Sequence, residues 1–309
     1  MSARDRCGAS APGIARGIAI ANYYNAAVIE APILAAIRRR LDRAQVLPPI
    51  GYRPFVVAGE RVGAIDDPRV ARLGAFGSGV FVVDASGVTL AEQLRDFASR
   101  TAALADVALA LRAEGALPAW RDELYAVATT FGAPPLCHLE RGAARYFGVH
   151  TWAAHVNGVV GEGEATKLWF ARRSPSKAVD PGLLDNLVGG GIAAGASVEE
   201  TVVKESFEEA GIGRSLALTA RPAGRLGIRR AMFDGLQVET LFVHDLALPP
   251  DFVPLNQDGE VAGHRLVDLG EAARLAAQED GPDEVTIDAS LVVLDYLLRG
   301  ASRGQDGSP

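Results

Sequence analysis

Apolar residues recur along this chain with the two spacings that distinguish helices from strands. Ile33, Ile37 and Leu41 lie four residues apart, which places them on one face and predicts a helix over 32–45. Helical spacing also predicts helices over 90–113, 141–146, 198–210 and 285–298. Apolar runs bounded by turn residues predict strands on both sides of a turn at 58–60 and at 77–83, 151–158, 167–172, 223–229, 238–246 and 261–266.

Strands interleaved with a few helices are typical of α/β or α+β proteins, and we predict α+β. A chain of 309 residues is long enough for about two domains, and a second unit starts near Gly148. Residues 1–30 read as an irregular extension, and 301–309 as a disordered tail.

Composition excludes several classes of protein. Hydrophobic residues make up 49% of the chain and charged residues 22%, which is typical of a soluble globular protein with a real core. The formal net charge of −7, with no basic stripe, argues against nucleic-acid binding. No apolar run is long enough to span a membrane. Cys7 and Cys137 are far apart, which fits a reducing compartment and a cytoplasmic location.

The clearest chemical signal is a glutamate cluster that follows a glycine-rich segment. Glu205, Glu208 and Glu209 have helical i, i+3 and i+4 spacing, so their carboxylates share one face of a helix. Like charges at that spacing repel each other. A divalent cation such as Mg²⁺, which prefers oxygen ligands and accompanies phosphate-bearing substrates, would explain the cluster. A solvated acidic face is the alternative.

The ends of this helix are marked by capping residues. Ser197 with Glu200 forms a capping box, and Gly211 can adopt the left-handed conformation that ends a helix. Glu208 and Glu209 therefore lie in the last turn, where the helix dipole disfavours carboxylates. Stability alone does not explain their position.

The glycine-rich segment, expected to be a loop, does not match the common nucleotide motifs. A phosphate-binding P-loop requires lysine where this chain has Ala196. The dinucleotide-binding fingerprint requires glycine where this chain has Ala194.

The segment instead resembles the Nudix box, with Gly190 as its leading glycine and the core KESFEEAGI over 204–212. By that resemblance Glu205, Glu208 and Glu209 are the expected Mg²⁺ ligands, with Mn²⁺ as an alternative ion. Three positions depart from the pattern. The first glutamate of the box is replaced by Ala196, its arginine by Lys204 and an aliphatic residue by Ser206.

The resemblance extends to the Nudix subfamily with an N-terminal DUF4743 domain, through segments 54–65, 120–125 and 140–158 and the sequences LWFARRSPSKAVDPGLLDNLVGGGIAAG and FVPLNQDGEV. It implies a Nudix α/β/α sandwich with an additional N-terminal α+β domain. The implied divisions are an extension over 1–30, a DUF4743-like domain over 31–147, a Nudix domain over 148–300 and a tail over 301–309. Some relatives are fused to thiamine pyrophosphokinase. The activity that the resemblance implies is hydrolysis of thiamine diphosphate and its oxidised analogues to the monophosphates.

Further residues are candidates for the site. Glu260, on a predicted loop, is a candidate general base or fourth ligand, and Glu239 is a weaker one. The five histidines show no metal-binding spacing and are interpreted as structural. Residues expected to bind the substrate are Arg172, Arg173, Lys177, Gly190 and Gly191.

Other functions remain as alternatives to a diphosphate hydrolase acting on thiamine compounds. One is hydrolysis of a nucleoside diphosphate derivative such as ADP-ribose. Another is isomerisation of a prenyl diphosphate, although no cysteine lies near the box. A third is a non-catalytic ligand sensor. The expected partner is a small-molecule diphosphate rather than nucleic acid or a membrane, and the expected assembly, if the chain associates, is a homodimer.

Overall fold

The computed structural model describes residues 29–47 and 51–303. Its first part is a four-stranded sheet in the order β2-β1-β4-β3 with a separate hairpin of β5 and β6. The elements of this part are α1 (Ala31–Ala44), β1 (Tyr52–Val57), β2 (Glu60–Asp66), α2 (Asp67–Gly74), β3 (Phe81–Asp84), β4 (Gly87–Leu90), α3 (Phe97–Ala113), β5 (Leu124–Val127) and β6 (Cys137–Glu140).

The second part is a seven-stranded sheet with the order β11-β12-β7-β8-β13, in which β10 also pairs with β7 and β9 with β8. Strands β7 and β12 run parallel, and the other pairs described in this sheet are antiparallel. Its elements are β7 (His150–Val160), β8 (Lys167–Arg173), β9 (Leu184–Asn186), β10 (Val188–Gly191), α4 (Val198–Ala210), α5 (Arg214–Ala217), β11 (Arg221–Met232), β12 (Gly235–Leu248), β13 (Val261–Asp268), α6 (Leu269–Ala277) and α7 (Ile287–Arg303).

Helices cover the large sheet from both sides, because its strands carry apolar residues on both faces. Val156 and Val188 pack with Val202 of α4 and Ala217 of α5. A second cluster joins Phe170 with α1, α6 and α7. This arrangement confirms the predicted α+β class with a helix–sheet–helix second domain and an additional N-terminal domain.

Helix α1 packs on the second domain rather than on the first. Its residues Ile37 and Leu41 belong to the apolar cluster of α6 and α7. Buried Arg40 donates hydrogen bonds to Ser290 Oγ (2.6 Å) and to the Val285 carbonyl (2.6 Å). The predicted domain boundary at 147/148 lies between the two sheets along the chain. Helix α1 precedes that boundary but packs on the second domain.

Several predicted elements are confirmed with small changes of boundary, and others are wrong. The helix predicted over 90–113 begins at Phe97, because Asp96 caps it and Leu90 pairs with Phe81 in the small sheet. The helix predicted over 141–146 is a single 3-10 turn, and the strand predicted over 77–83 starts only at Phe81. The sequence does not predict α2, β4, β5, β6, β9, β10, α5 or α6.

The predicted termini lie mostly outside the described residues. Of the extension over 1–30, the structure describes 29–30, and of the tail over 301–309 it describes 301–303. These last three residues are helical and end α7, so the tail was predicted to begin too early.

Candidate active site

Helix α4 has the boundaries and caps that the sequence predicts. Ser197 accepts a hydrogen bond from the Glu200 backbone, and Glu200 accepts one from the Ser197 backbone, so both bonds of the capping box form. Gly211 ends the helix in the left-handed conformation, with φ at 66°. His264 on β13 contacts the Glu209 carbonyl through Nε2 at 3.0 Å and so holds the last turn against the sheet.

The glycine segment before the helix is a strand, not the predicted loop. Residues 188–191 pair with β7, and Gly190 lies opposite Ala154. A Cβ atom at Gly190 would lie 2.3 Å from the carboxyl carbon of Glu205, and one at Gly191 would lie 1.7 Å from the Tyr125 hydroxyl. Glycine is needed here because side chains of the site pack directly on the strand backbone.

The predicted metal ligands are divided between two lysines. Lys204 Nζ lies 3.0 Å from Glu205 Oε1 and 2.7 Å from Glu208 Oε2, so one cation bridges these carboxylates. Buried Lys177 Nζ lies 3.1 Å from Glu209 Oε1. The side chains of Glu205 and Glu209 are only 12% and 6% exposed, which contradicts the alternative of a solvated acidic face for this pair.

Burial shapes the electrostatics of this cluster. It raises the pKa of Glu209 to about 7, although Lys177 and the Gly189 N–H, which donates to Oε2 at 2.8 Å, oppose the rise. Burial also raises the pKa of Glu205, and Lys204 opposes it. Both carboxylates therefore require nearby positive charge to remain ionised at neutral pH.

Glu260 joins the same cluster from the loop before β13. Its Oε2 lies 2.7 Å from Lys177 Nζ, and its Oε1 lies 3.3 Å from Arg121 Nη1. Burial acts to raise the pKa of Glu260, but these two cations outweigh it and hold the pKa below its ordinary value. The structure thus brings Glu260 to Glu209 through one shared lysine.

A cleft of about 950 Å³, open to solvent, lies between the two domains and reaches the glycine strand. The first domain contributes Tyr125 to its lining, and the second contributes His155. Four arginines line the cleft: Arg121, Arg141, Arg145 and Arg173. Three of the four come from the first domain, so a negatively charged ligand in the cleft would contact both domains.

The residues predicted to bind substrate have different surroundings. Arg173, Gly190 and Gly191 line the cleft, whereas Lys177 is buried between carboxylates. Arg172 does not line it: Arg172 Nη1 donates to the carbonyls of residues 182 and 282, at 2.9 and 2.7 Å, and its guanidinium pairs with Asp283. Arg172 is therefore engaged away from the cleft, and the structure does not support its predicted role in substrate binding.

Other candidates from the sequence have clear partners. Glu239 lines the cleft but accepts hydrogen bonds from Thr151 Oγ1 (3.1 Å) and Gln237 Nε2 (2.8 Å), away from the glutamate helix. Of the histidines, His155 lines the cleft, whereas His150 contacts Thr240 Oγ1.

The donor chemistry of the cluster fits a hard divalent cation, since carboxylate oxygens are the available ligands. Glu205 and Glu208 already share one positive charge, and Glu209 lies beside them in the last turns of the same helix. Among the described residues, however, no three acidic, histidine or cysteine side chains are grouped closely enough to hold a metal ion as they stand. In this structure the positive charge beside the carboxylates comes from Lys204 and Lys177.

Sequence reasoning missed the contribution of the first domain to the cleft. The residues concerned, Arg121, Tyr125, Arg141 and Arg145, fall in or beside segments that carried the resemblance, but no local motif marks them.

For the glutamate cluster of the second domain, the sequence did carry a signal, since lysine is restricted to three positions, Lys167, Lys177 and Lys204, among 31 basic residues. Two of these lysines neutralise the glutamate cluster.

The glycine strand, the capped helix that ends in Glu-Glu-Ala-Gly and the sheet between two helical layers define a Nudix domain. The chain belongs to the Nudix hydrolase family, whose domain matches residues 150–288. The preceding residues 40–151 match a domain of unknown function, DUF4743.

Two relatives from Arabidopsis thaliana are similar over most of this chain. "Nudix hydrolase 20, chloroplastic" is 37% identical over 80% of this chain and 68% of its own length. "Nudix hydrolase 24, chloroplastic" is 40% identical over 80% and 67%. A crystal structure of DR0079 from Deinococcus radiodurans superposes on 47% of this chain and 83% of its own, with 26% identity and a TM-score of 0.37. Within the described part of the chain no helix is long and apolar enough to cross a membrane.

Proposed function

We propose that this enzyme hydrolyses a diphosphate linkage in a small molecule with the help of Mg²⁺, and that its substrate is thiamine diphosphate or an oxidised analogue, which is released as the monophosphate. The observation that carries the diphosphate assignment is the arginine-lined cleft that reaches the glycine strand, where Glu205 of the glutamate helix packs against Gly190. The choice of thiamine compounds rests on the sequence resemblance.

The charges of the cleft support a diphosphate ligand. Arg173 Nη1 contacts Asp185 at 2.8 Å and Arg141 Nη1 contacts Glu123 at 2.6 Å, so each guanidinium is held in place by a carboxylate. The longer 3.3 Å contact of Arg121 with Glu260 is more easily exchanged for phosphate. We assign Arg121, Arg141 and Arg173 to the diphosphate, near Gly190 and Gly191.

The metal assignment follows from the carboxylates. Glu205, Glu208 and Glu209 would hold Mg²⁺, or Mn²⁺ in its place, and the ion would neutralise phosphate oxygens and lower the pKa of bound water. Lys204 would then leave the carboxylates that it bridges. Glu260 remains the candidate general base, because it adjoins Glu209 through Lys177.

A substrate panel tests this function. Thiamine diphosphate, its oxidised analogues, ADP-ribose and a prenyl diphosphate are incubated with the purified chain, with and without Mg²⁺ or Mn²⁺, and the monophosphate and inorganic phosphate are measured. We expect metal-dependent turnover that is fastest on the thiamine compounds. Faster turnover of ADP-ribose would support the nucleotide alternative, and binding without turnover would support a ligand sensor.

Substitution of a predicted ligand tests the metal site. Removing one preorganised charge-stabilising group typically lowers the rate by about 10²–10³, and we expect a loss of that size for Glu208→Gln. The matched control is Glu199→Gln, an exposed glutamate in the first turn of the same helix. Equal activity of the two variants, with both folded, would remove Glu208 from the site. The cytoplasmic location and a homodimer stay predictions.

A further inference from the structure

A continuous line of buried polar side chains runs from the cleft through the large sheet to α7. His155 Nδ1 lies 3.0 Å from Asn186 Oδ1, and Asn186 Nδ2 lies 3.1 Å from Asn157 Oδ1. Asn157 Nδ2 lies 3.0 Å from Asp245 Oδ1, and the Asp245 carboxylate is held by Arg299 through bonds of 2.6 and 3.1 Å. His155, Asn157 and Asn186 are at most 5% exposed. Buried polar groups are retained only when they are hydrogen-bonded, so the line is a connected unit.

The carboxylate at the end of the line fixes the direction of every bond in it. Ionised Asp245 can only accept, so Asn157 must turn its NH₂ group toward it. The carbonyl oxygen of Asn157 then faces Asn186 and accepts from the Asn186 NH₂ group. The carbonyl oxygen of Asn186 therefore faces His155, and the only group that can satisfy it is a protonated Nδ1.

This direction determines what His155 presents to the cleft. A neutral imidazole that is protonated on Nδ1 carries a lone pair on Nε2. Nε2 has no hydrogen-bond partner among the described residues, and it is not among the enclosed atoms that lack one. The side chain lines the cleft, and it lies against Gly189, where a Cβ atom would be 3.1 Å from the ring. The N–H of Gly189 binds Glu209, so the histidine ring and the glutamate cluster adjoin the same residue of the glycine strand.

We propose that His155 is a further residue of the site, and that its Nε2 accepts a hydrogen bond from an O–H or N–H donor bound in the cleft. The sequence had suggested a structural histidine. The inner ring nitrogen, Nδ1, does have that role. The outer one, Nε2, is oriented as an acceptor by the four residues that continue the line behind the ring. The donor belongs either to the organic part of the substrate or to the attacking water, and both share this chemistry. This assignment of a partner rests on the proposed hydrolase function, whereas the orientation of the ring does not.

The tautomer is measured first, on the protein without substrate. Long-range ¹H–¹⁵N spectra of the chain labelled in its five histidines distinguish the two neutral forms, and loss of one signal set in His155→Asn assigns the residue. We expect Nδ1–H. Asp245→Asn removes the fixed acceptor, so we expect a detectable population of the Nε2–H form in that variant. An Nε2–H tautomer in the unaltered protein would overturn the proposal.

Binding is measured next, through the Nε2 resonance, on addition of thiamine diphosphate or ADP-ribose. We expect the resonance to move with at least one of them. A ligand that binds, as shown by other shifted signals, but leaves this resonance in place with both compounds would overturn the proposal even if the tautomer is as expected. Because no turnover is required, failure of the hydrolase assignment is distinguishable from failure of this one.

Kinetics separate the outer nitrogen from the inner one. His155→Asn keeps a donor to Asn186 but has no atom at the outer position, whereas His155→Gln places an acceptor there and loses the inner bond. One hydrogen bond corresponds to roughly tenfold in rate or affinity, so we expect about tenfold lower kcat/KM for the asparagine variant and partial recovery with glutamine. Loss of kcat on every substrate identifies water as the donor, and loss on some substrates identifies the organic part. An active asparagine variant beside an inactive glutamine variant would show a purely structural role, and His138→Asn serves as the control.

Discussion

Alanine at Gly190 is the sharpest perturbation that the structure offers, because it moves one carboxylate and little else. The new Cβ would lie 2.3 Å from the carboxyl carbon of Glu205, 2.4 Å from its Cγ and 2.7 Å from its Oε1. Ordinary contact begins at 3.4 Å, so the carboxyl group must retreat by about 1 Å. The backbone at Gly190 does not have the positive φ that would itself strain alanine.

A displacement of this size is enough to be seen in the rate. Misplacement of a catalytic group by about 1 Å can lower the rate by about 10²-fold, and we expect that loss in kcat/KM for Gly190→Ala. Stability should change much less, by about 1 kcal/mol, since the crowded atoms end a flexible side chain that can turn away. The substitution should therefore lower activity strongly while changing the free energy of unfolding only slightly.

The assay compares metal-dependent hydrolysis with thermal unfolding for four proteins. They are the unaltered chain, Gly190→Ala, Glu205→Gln and the double variant. If alanine acts through the carboxylate, the two losses will not add, because each substitution removes the same interaction. The control is Gly227→Ala on β11, where an added Cβ meets nothing within 4 Å.

Two results would refute this reasoning. A folded Gly190→Ala protein with activity within about twofold of the unaltered chain would show that the position of Glu205 is unimportant for catalysis. Additive losses in the double variant would show that the glycine acts independently of that carboxylate.

Three further predictions concern single buried groups. Ser206 is fully buried and its hydroxyl has no partner among the residues that the structure describes, so Ser206→Ala should raise the free energy of unfolding by about 1 kcal/mol, as measured by urea denaturation; a loss of stability would contradict this. Burial raises the pKa of the Cys137 thiol to about 12, so in a Cys7→Ser background this thiol should react with iodoacetamide at pH 8 only after unfolding; labelling of the folded protein would refute its protection. Because the folded-state pKa of Glu209, about 7, lies above its unfolded value, its contribution to stability is greatest below about pH 4.5 and is lost as the pH rises to 7. Without metal, the unaltered chain should therefore lose more stability over this range than Glu209→Gln, and identical pH profiles would count against the raised pKa.

Sequence alone determined those features whose causes lie within a few residues along the chain. The capping box of Ser197 and Glu200 and the terminal Gly211 gave both ends of α4, since each cap bonds to backbone one turn away. The spacing of Glu205, Glu208 and Glu209 placed the three carboxylates in the last turns of α4, and the metal chemistry inferred from it stays a prediction. Apolar spacing located α1 and most strands of the large sheet, because periodicity records which face is buried.

Only the tertiary structure decided where distant segments meet. Leu90 belongs to a strand because β4 is paired on both sides, and 188–191 is a strand because β7 offers it a free edge. The same holds for Arg121, whose partner Glu260 is 139 residues away, and for His155, whose orientation is set from Asp245 and Arg299. Sheet pairing and converging side chains depend on contacts between residues far apart in the chain, and no local pattern encodes such a contact.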